Sequence, residues 1–296
     1  MLSKLRYFSN EPDVSVTDLR SGINVSSVLA EIGISDAIVR KVDTGTLSAA
    51  FIAEKAGRRR FLKTHLDSHG QETLLKESVI LAALYPEELS PQYVEMCSGT
   101  DKRNWLVMNA LNPPLFDYTF DEVSSFAVEL TSSLRGFKKV SLIPKEDSIL
   151  TLLVEAWAAL DNLSSHKLIS SEIHRSVRSH LVLVDNEIGN YAPCICHGDL
   201  GPNNLMSDGS RVFAIDWEDA FWGVEGYDFL FWLTFFCNRK YYSTDIFGKT
   251  SLGKPLECAL VVMILLLKSE LSFRDGSYHA NSLNFNQRIQ EIIAFQ

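Results

Sequence analysis

Positive charge is scarce in this chain of 296 residues: Lys and Arg number 28 against 37 Asp and Glu, a formal net charge of -9. Such a field repels a phosphate backbone, which argues against nucleic acid as a partner and mildly favours a cationic small molecule. Cysteine is sparse too. The five present (Cys97, Cys194, Cys196, Cys237 and Cys258) are odd in number and widely scattered, so no disulfide framework is expected. The opening residues show no basic head followed by an apolar core, and a reduced, cytoplasmic setting is the expectation. Long apolar runs are missing. The longest clean one, Cys258 to Leu267, is half of the about 20 residues a membrane helix needs, so no membrane-spanning segment is expected. Internal repeats and low-complexity tracts are absent. What remains is ordinary globular material, 46% hydrophobic and 22% charged, enough for one large domain or two lobes.

Short β-type segments come first, at residues 38–43, 49–54 and 60–65, with Gly45 and Gly57 at the two turns between them. They predict an antiparallel meander. Residues 71–84 are helical by composition, and Leu74, Glu77, Leu81 and Leu84 fall along one face. Glu77 therefore lies in an apolar stripe, where a carboxylate is costly unless a cation meets it, and the adjacent strand supplies Lys63. Lys55 and Glu72 are the competing pair, but Lys55 adjoins the Gly57 turn. A purely structural buried ion pair is the other reading of Lys63 with Glu77.

After further strand candidates at 94–97 and 105–108, the stiff Asn112-Pro113-Pro114 sets an expected lobe boundary, 1–111 against 112–296. Beyond it the helical period dominates, over 121–137, 148–163, 170–188, 225–237, 256–271 and 286–295. The expected class is α+β: a small sheet with one helix, then a mostly helical lobe. Residues 1–31 carry too little pattern to place.

The informative stretch is His197-Gly198-Asp199-Leu200-Gly201-Pro202-Asn203-Asn204, followed past a Gly209 turn by Val212-Phe213-Ala214-Ile215-Asp216-Trp217. An apolar lead-in, a polar loop, a hairpin and a carboxylate at a strand's end present side chains for chemistry. Asp199, with Asn204 five residues later and Asp216 beyond the hairpin, offers what phosphoryl transfer needs: a carboxylate for the acceptor hydroxyl and hard oxygen ligands for magnesium. The spacing matches the kinase catalytic loop, His-Arg-Asp through Asn to Asp-Phe-Gly.

With its His-Gly-Asp opening, its Ile215-Asp216-Trp217-Glu218 phrase and a downstream Gly226-Tyr227-Asp228, the sequence resembles the aminoglycoside phosphotransferase and choline kinase family of small-molecule kinases over about residues 36–236. The resemblance implies a bilobal protein-kinase-like fold that binds ATP and Mg2+ between its lobes and phosphorylates a hydroxyl of a small molecule. Asp199 would accept or orient the acceptor's proton, Asn204 and Asp216 would hold magnesium, and His197 would organise the loop while Asp228 braces it. Lys63 would pair with the α and β phosphates, fixed by Glu77. Gly45, Thr46 and Ser48 would cover the phosphates, and backbone groups of Met108, Asn109 and Ala110 would receive the adenine. Amino alcohols, aminosugars and related polar metabolites are the implied acceptors.

Against the family pattern, Gly45 stands alone where a glycine loop carries several glycines, and Gly201 occupies a position where many members place a histidine. The thin glycine loop motivates a second reading, a non-catalytic nucleotide-binding pseudokinase acting as an interaction module. Retention of Asp199, Asn204 and Asp216 speaks against it. The lack of an Asp-Phe-Gly to Ala-Pro-Glu segment argues against a protein substrate. Trp217, Trp222, Glu218 and Asp219 are candidates for an aromatic and acidic pocket around an ammonium group, although such tryptophans more often belong to cores. Cys194, Cys196 and His197 do not complete four zinc ligands, and Gly248-Lys249-Thr250 lacks the first glycine and preceding strand of a phosphate loop. Oligomeric state has no signature in the sequence.

Overall fold

A computed structural model describes residues 22–42, 48–66, 68–96, 103–115, 117–243 and 245–296. After a short helix α1 (Ser26–Glu31) come β1 (Ile38–Val42), β2 (Ser48–Lys55), β3 (Arg58–His65), helix α2 (Ser68–Leu84), β4 (Gln92–Glu95) and β5 (Asn104–Asn109). The five strands form one sheet in the order β1-β2-β3-β5-β4, every neighbouring pair antiparallel. Ala56 and Gly57 close the β2–β3 hairpin with φ of 49° and 75°, the left-handed pair that matches the twist of the flanking strands.

The period of two splits each strand between two environments. Ala49, Phe51 and Ala53 of β2, Leu62 of β3, and Trp105 and Val107 of β5 pack with Val28 and Leu29 of α1. Leu106 and Met108 face the other way, into a core shared with α2 and the helices that follow. Lys63 pairs with Leu106 in the β3–β5 register, which puts its side chain on this inner face.

Asn112 forms an antiparallel bridge with Ser207, so at the expected boundary the chain is already tied to the second half. There follow α3 (Phe120–Leu134), α4 (Ile149–Ser165) and α5 (Ser171–Glu187). Thr119, Ser148 and Ser170 cap their N-termini, each accepting a backbone N–H of the first turn. Two small two-stranded sheets carry the 197–204 loop: β6 (Cys194–Cys196) pairs with β9 (Phe221–Gly223), and the hairpin strands β7 (Leu205–Ser207) and β8 (Val212–Ala214) pair with each other. The chain ends with α6 (Tyr227–Leu233), α7 (Lys254–Arg274) and α8 (Phe285–Ile293).

The expected helix at 225–237 is corrected to the seven residues of α6. Residues 221–223 are strand, Gly226 turns the chain at φ 95°, and the Thr234 hydroxyl caps the far end by donating to the Phe231 carbonyl. Helix α7 is apolar nearly all round and sits in the centre of the helical part, yet it carries Glu257, fully buried. The Glu257 carboxylate accepts from the backbone N–H groups of Gly248, Lys249 and Thr250 and from the Thr250 hydroxyl. An internal carboxylate thus occupies the Gly-Lys-Thr loop that imitates a phosphate site. Among the described residues, no helix is long and apolar enough to cross a membrane.

Candidate active site

Strand β3 brings Lys63 and helix α2 brings Glu77 to the inner face of the sheet, where Lys63 Nζ donates to Glu77 Oε2 at 2.8 Å. Both are buried. The second Glu77 oxygen accepts the backbone N–H of Asp216 at 2.8 Å, and the Asp216 carboxylate accepts a hydrogen bond from Lys63 as well. Glu218 lies 3.4 Å from Lys63 and meets His65 Nε2 with the same oxygen. Burial works against the Lys63 ammonium, but the carboxylates of Asp216, Glu218 and Glu77 hold its pKa well above the ordinary lysine value. Burial pushes Glu77 upward. Asp216 itself adopts φ 71° and ψ 53°, a left-handed conformation that costs a non-glycine residue about 1–3 kcal/mol. Its N–H bond to Glu77 and its ion pair with Lys63 hold it there.

The loop carrying Asp199 is fixed from below. Buried Asp228 accepts the N–H of His197 at 2.8 Å and that of Gly198 at 3.0 Å, one with each oxygen. Burial raises its pKa, and these bonds together with the nearby His197 pull it back. His197 Nε2 is 2.8 Å from the Ile215 carbonyl, while its Nδ1 accepts the Asp199 N–H at 3.3 Å. Through these two contacts the imidazole ties the Asp199 loop to the strand that leads into Asp216. Asn204 Nδ2 donates to the Asp199 carbonyl at 2.8 Å, leaving its amide oxygen as a possible ligand. Gly198 has φ 82°, and a Cβ there would stand 2.2 Å from the Asp219 carbonyl oxygen. That close approach explains glycine at this position of the loop.

Oxygen donors dominate the site. Ligand atoms of Glu77, Asp216 and Glu218 lie within 4.8 Å of one another. The Lys63 ammonium lies against all three, while the Asn204 carbonyl accepts the Ile215 N–H at 3.0 Å and so brings Asn204 to the Asp216 segment; the side-chain oxygens of Asn204 and Asp216 suit a hard divalent cation such as Mg2+. Cys194 and Cys196 bring their sulfurs to 3.8 Å, but burial pushes the Cys196 thiol well above its ordinary pKa and it donates to the Val224 carbonyl. That suits a packed thiol rather than a zinc thiolate.

Other expected residues fall differently. Gly45 and Thr46 lie outside the described residues, and Ser48 is a buried residue opening β2, opposite His65. At the expected adenine edge, the Met108 side chain is in the core, the Asn109 N–H donates to the Leu89 carbonyl and the Ala110 N–H to that of Arg59. Leu111 is next, and its N–H has no partner among the described residues. That N–H is a further donor at the end of the 108–110 segment whose backbone groups are expected to receive the adenine.

The aromatic and acidic pocket is corrected. Trp217 is wholly buried against His197 with its indole N–H donated to the Ala214 carbonyl, and Trp222 donates to Ile143. Glu218 faces Lys63 and His65, and Asp219 is buried with its carbonyl against Gly198. None of the four lines the cavity beside Asp199. That cavity, of about 290 Å³, is lined by Phe231 and Phe235 together with Lys268 and Arg288. A signal for it existed: Lys268 directly follows the apolar run 258–267, the same anomaly of a charge in an apolar helix that singled out Glu77.

A five-stranded antiparallel sheet, one helix carrying the glutamate partner of a strand lysine, and a helical body presenting the Asp199 loop make up the protein-kinase-like fold of small-molecule kinases. The chain belongs to the phosphotransferase enzyme family, whose model matches residues 38–241. Among solved structures, it is similar to aminoglycoside phosphotransferase APH(4)-Ia in complex with ADP and hygromycin B, with a TM-score of 0.62 and 14% identity over 92% of this chain and 99% of that one. A choline/ethanolamine kinase family protein from Mesorhizobium loti gives a TM-score of 0.61 at 14% identity over 95% of each chain. Plasmodium vivax ethanolamine kinase gives 0.59 at 14% identity over 98% of this chain and 91% of that one. No curated relative matches the sequence.

Proposed function

We propose that the protein transfers the γ-phosphoryl group of Mg-ATP to a hydroxyl of a small polar molecule, in a cleft between lobes 1–111 and 112–296. The observation that carries this reading is the convergence of Lys63, Glu77 and Asp216 in one hydrogen-bonded cluster, joined through Ile215 and His197 to the Asp199 loop. Lys63 binds the α and β phosphates, and Glu77 fixes its rotamer. Asn204 and Asp216 hold the magnesium, which neutralises charge on the phosphates. Ser48, with Gly45 and Thr46, covers them. The open N–H of Leu111 meets the adenine edge.

The acceptor oxygen attacks the γ phosphorus in line as the bond to the β–γ bridging oxygen breaks, ADP leaves, and the hydroxyl proton passes to the Asp199 carboxylate. Positioning and electrostatics supply most of the acceleration, and no phosphoenzyme forms. Amino alcohols, aminosugars and related polar hydroxylated metabolites are the acceptor classes of this reading.

The test is a mass-spectrometric screen of hydroxylated metabolites and aminoglycosides with Mg-ATP, wild type against Asp199→Ala. Asp199→Ala is expected to bind ATP normally and to lose at least about 100-fold in kcat. Equal turnover would remove Asp199 from the mechanism. Mg-ATP binding with no product across the panel would favour the pseudokinase reading.

A further inference from the structure

An aromatic cage stands beside the candidate catalytic loop, and the chain's own ammonium fills it. Lys268 Nζ lies 3.8 Å from the ring centroid of Phe231 and 3.5 Å from that of Phe235, rings that meet edge to face at 5.8 Å. It also donates to the Thr234 hydroxyl at 2.7 Å. Rings so disposed hold an ammonium through their negative faces, and they are the usual means of recognising a ligand cation. Here the place is taken from within.

A second cation is braced on the same residue. Arg288, buried, donates to the Thr234 carbonyl, and its guanidinium stands 4.4 Å from the Phe236 ring centroid. Among the described residues, the charged groups lining this cavity are Lys268, Arg288 and Asp199, two cations against one carboxylate. The third wall is the catalytic loop itself. A Cβ on Gly201 would approach the Phe235 ring to 2.6 Å, so glycine there lets the ring close on the loop backbone and keeps the cage next to Asp199.

We infer that this cavity takes a hydroxylated acceptor that also carries an anionic group, a carboxylate or a phosphate, and that it rejects ammonium-bearing acceptors. The hydroxyl faces Asp199, the anion faces Lys268 and Arg288, and the apolar body lies on the phenylalanine rings. An anion there gains charge-assisted hydrogen bonds in a partly desolvated site, whereas an acceptor ammonium meets two fixed like charges with its cage already occupied. This sets aside the amino alcohols and aminosugars named above and keeps anionic members of the related polar hydroxylated metabolites, and it rests on the phosphotransferase reading.

The experiment presents the full-length protein with γ-labelled Mg-ATP and four separate pools: hydroxycarboxylic acids, sugar phosphates, neutral sugars and polyols, and amino alcohols with aminoglycosides. Label is expected in one of the first two pools, and which one distinguishes carboxylate from phosphate. Lys268→Met should raise the KM for that acceptor and lower kcat/KM about 30-fold or more, with the KM for Mg-ATP unchanged. Lys268→Arg, which keeps the charge, should restore most of it and guards against a folding defect in the first variant. Label in the neutral or amino pools alone overturns the inference and leaves the phosphotransferase reading standing. Label in the anionic pools that is indifferent to Lys268→Met overturns the assignment to this cavity. Label in no pool overturns the phosphotransferase reading and the acceptor class with it.

Discussion

Glu77 grips the backbone of Asp216: one carboxylate oxygen accepts the Asp216 N–H at 2.8 Å while the other accepts from Lys63, also at 2.8 Å. One side chain of helix α2 therefore sets both the lysine on the sheet and the left-handed turn that aims the Asp216 carboxylate. In the proposed function this would couple nucleotide anchoring by Lys63 to metal binding by Asp216. The same carboxylate thus bridges two segments 139 residues apart.

Removing that carboxylate leaves Lys63 facing an incomplete partner set and Asp216 free to relax. Glu77→Ala is expected to lower stability by about 3–5 kcal/mol, the cost of breaking a buried pair from one side. Glu77→Gln keeps one acceptor oxygen and should fall in between. Urea unfolding reads the first effect, and calorimetric titration with Mg-ATP reads the second. Wild-type Mg-ATP affinity in a folded Glu77→Ala protein would sink the coupling.

Gly198 and Gly201 sit three residues apart in one loop and should respond differently to alanine. At Gly198 the φ of 82° disfavours any side chain and the new Cβ meets the rigid Asp219 backbone at 2.2 Å. The expected loss is at least about 2 kcal/mol, with activity falling alongside because the loop carries Asp199. At Gly201 the φ is -95°, ordinary for any residue, and the obstacle is the movable Phe235 ring. A milder loss in melting temperature is expected there. Equal melting temperatures for the two variants would contradict the geometry.

The pH dependence of stability should carry a signature of Asp228. Burial raises its folded pKa above the ordinary value of 3.8 in spite of the two N–H bonds and the nearby His197. Between the unfolded and folded values the native state binds the proton more tightly, so stability falls as pH rises through that window. Asp228→Asn removes this slope. It also leaves a single acceptor oxygen for the His197 and Gly198 amides, and a cost of about 1–3 kcal/mol is expected from the amide left unpaired. Melting temperature against pH for both proteins checks the pair of effects, and parallel curves would refute the titration.

Much of this was legible in the sequence wherever the physics is local. The β2–β3 hairpin follows from Gly57, and the Lys63–Glu77 pair from one carboxylate in an apolar stripe. The spacing of Asp199, Asn204 and Asp216 follows from a loop and a hairpin in a row. What stayed hidden depends on distant segments. Phe235, Lys268 and Arg288 are brought to Asp199 by packing of α7 and α8, and no spacing rule connects them. The tryptophans stand apart from the cavity beside Asp199: Trp217 is wholly buried with its indole on the Ala214 carbonyl, and half-buried Trp222 donates its indole to the Ile143 carbonyl. Helix α6 ends early because the Thr234 hydroxyl caps it, where composition alone carried the helix on through Phe236 and Cys237.

The Leu111 amide, without a partner among the described residues, makes the proposed nucleotide edge testable atom by atom. Asn109 and Ala110 spend their N–H groups on Leu89 and Arg59, so an adenine lying against this segment finds its donor at Leu111, and the ring nitrogen N1 is the acceptor that suits it. An ATP analogue with carbon at that position, 1-deaza-ATP, cannot accept the bond and leaves the amide unsatisfied in the complex. Its affinity should drop about 10-fold, the worth of one neutral hydrogen bond in a partly desolvated site. Analogue 7-deaza-ATP alters the opposite edge of the purine and should bind like ATP. Competition against a fluorescent nucleotide measures both constants under the same magnesium concentration. Equal affinities for 1-deaza-ATP and ATP would move the adenine away from Leu111.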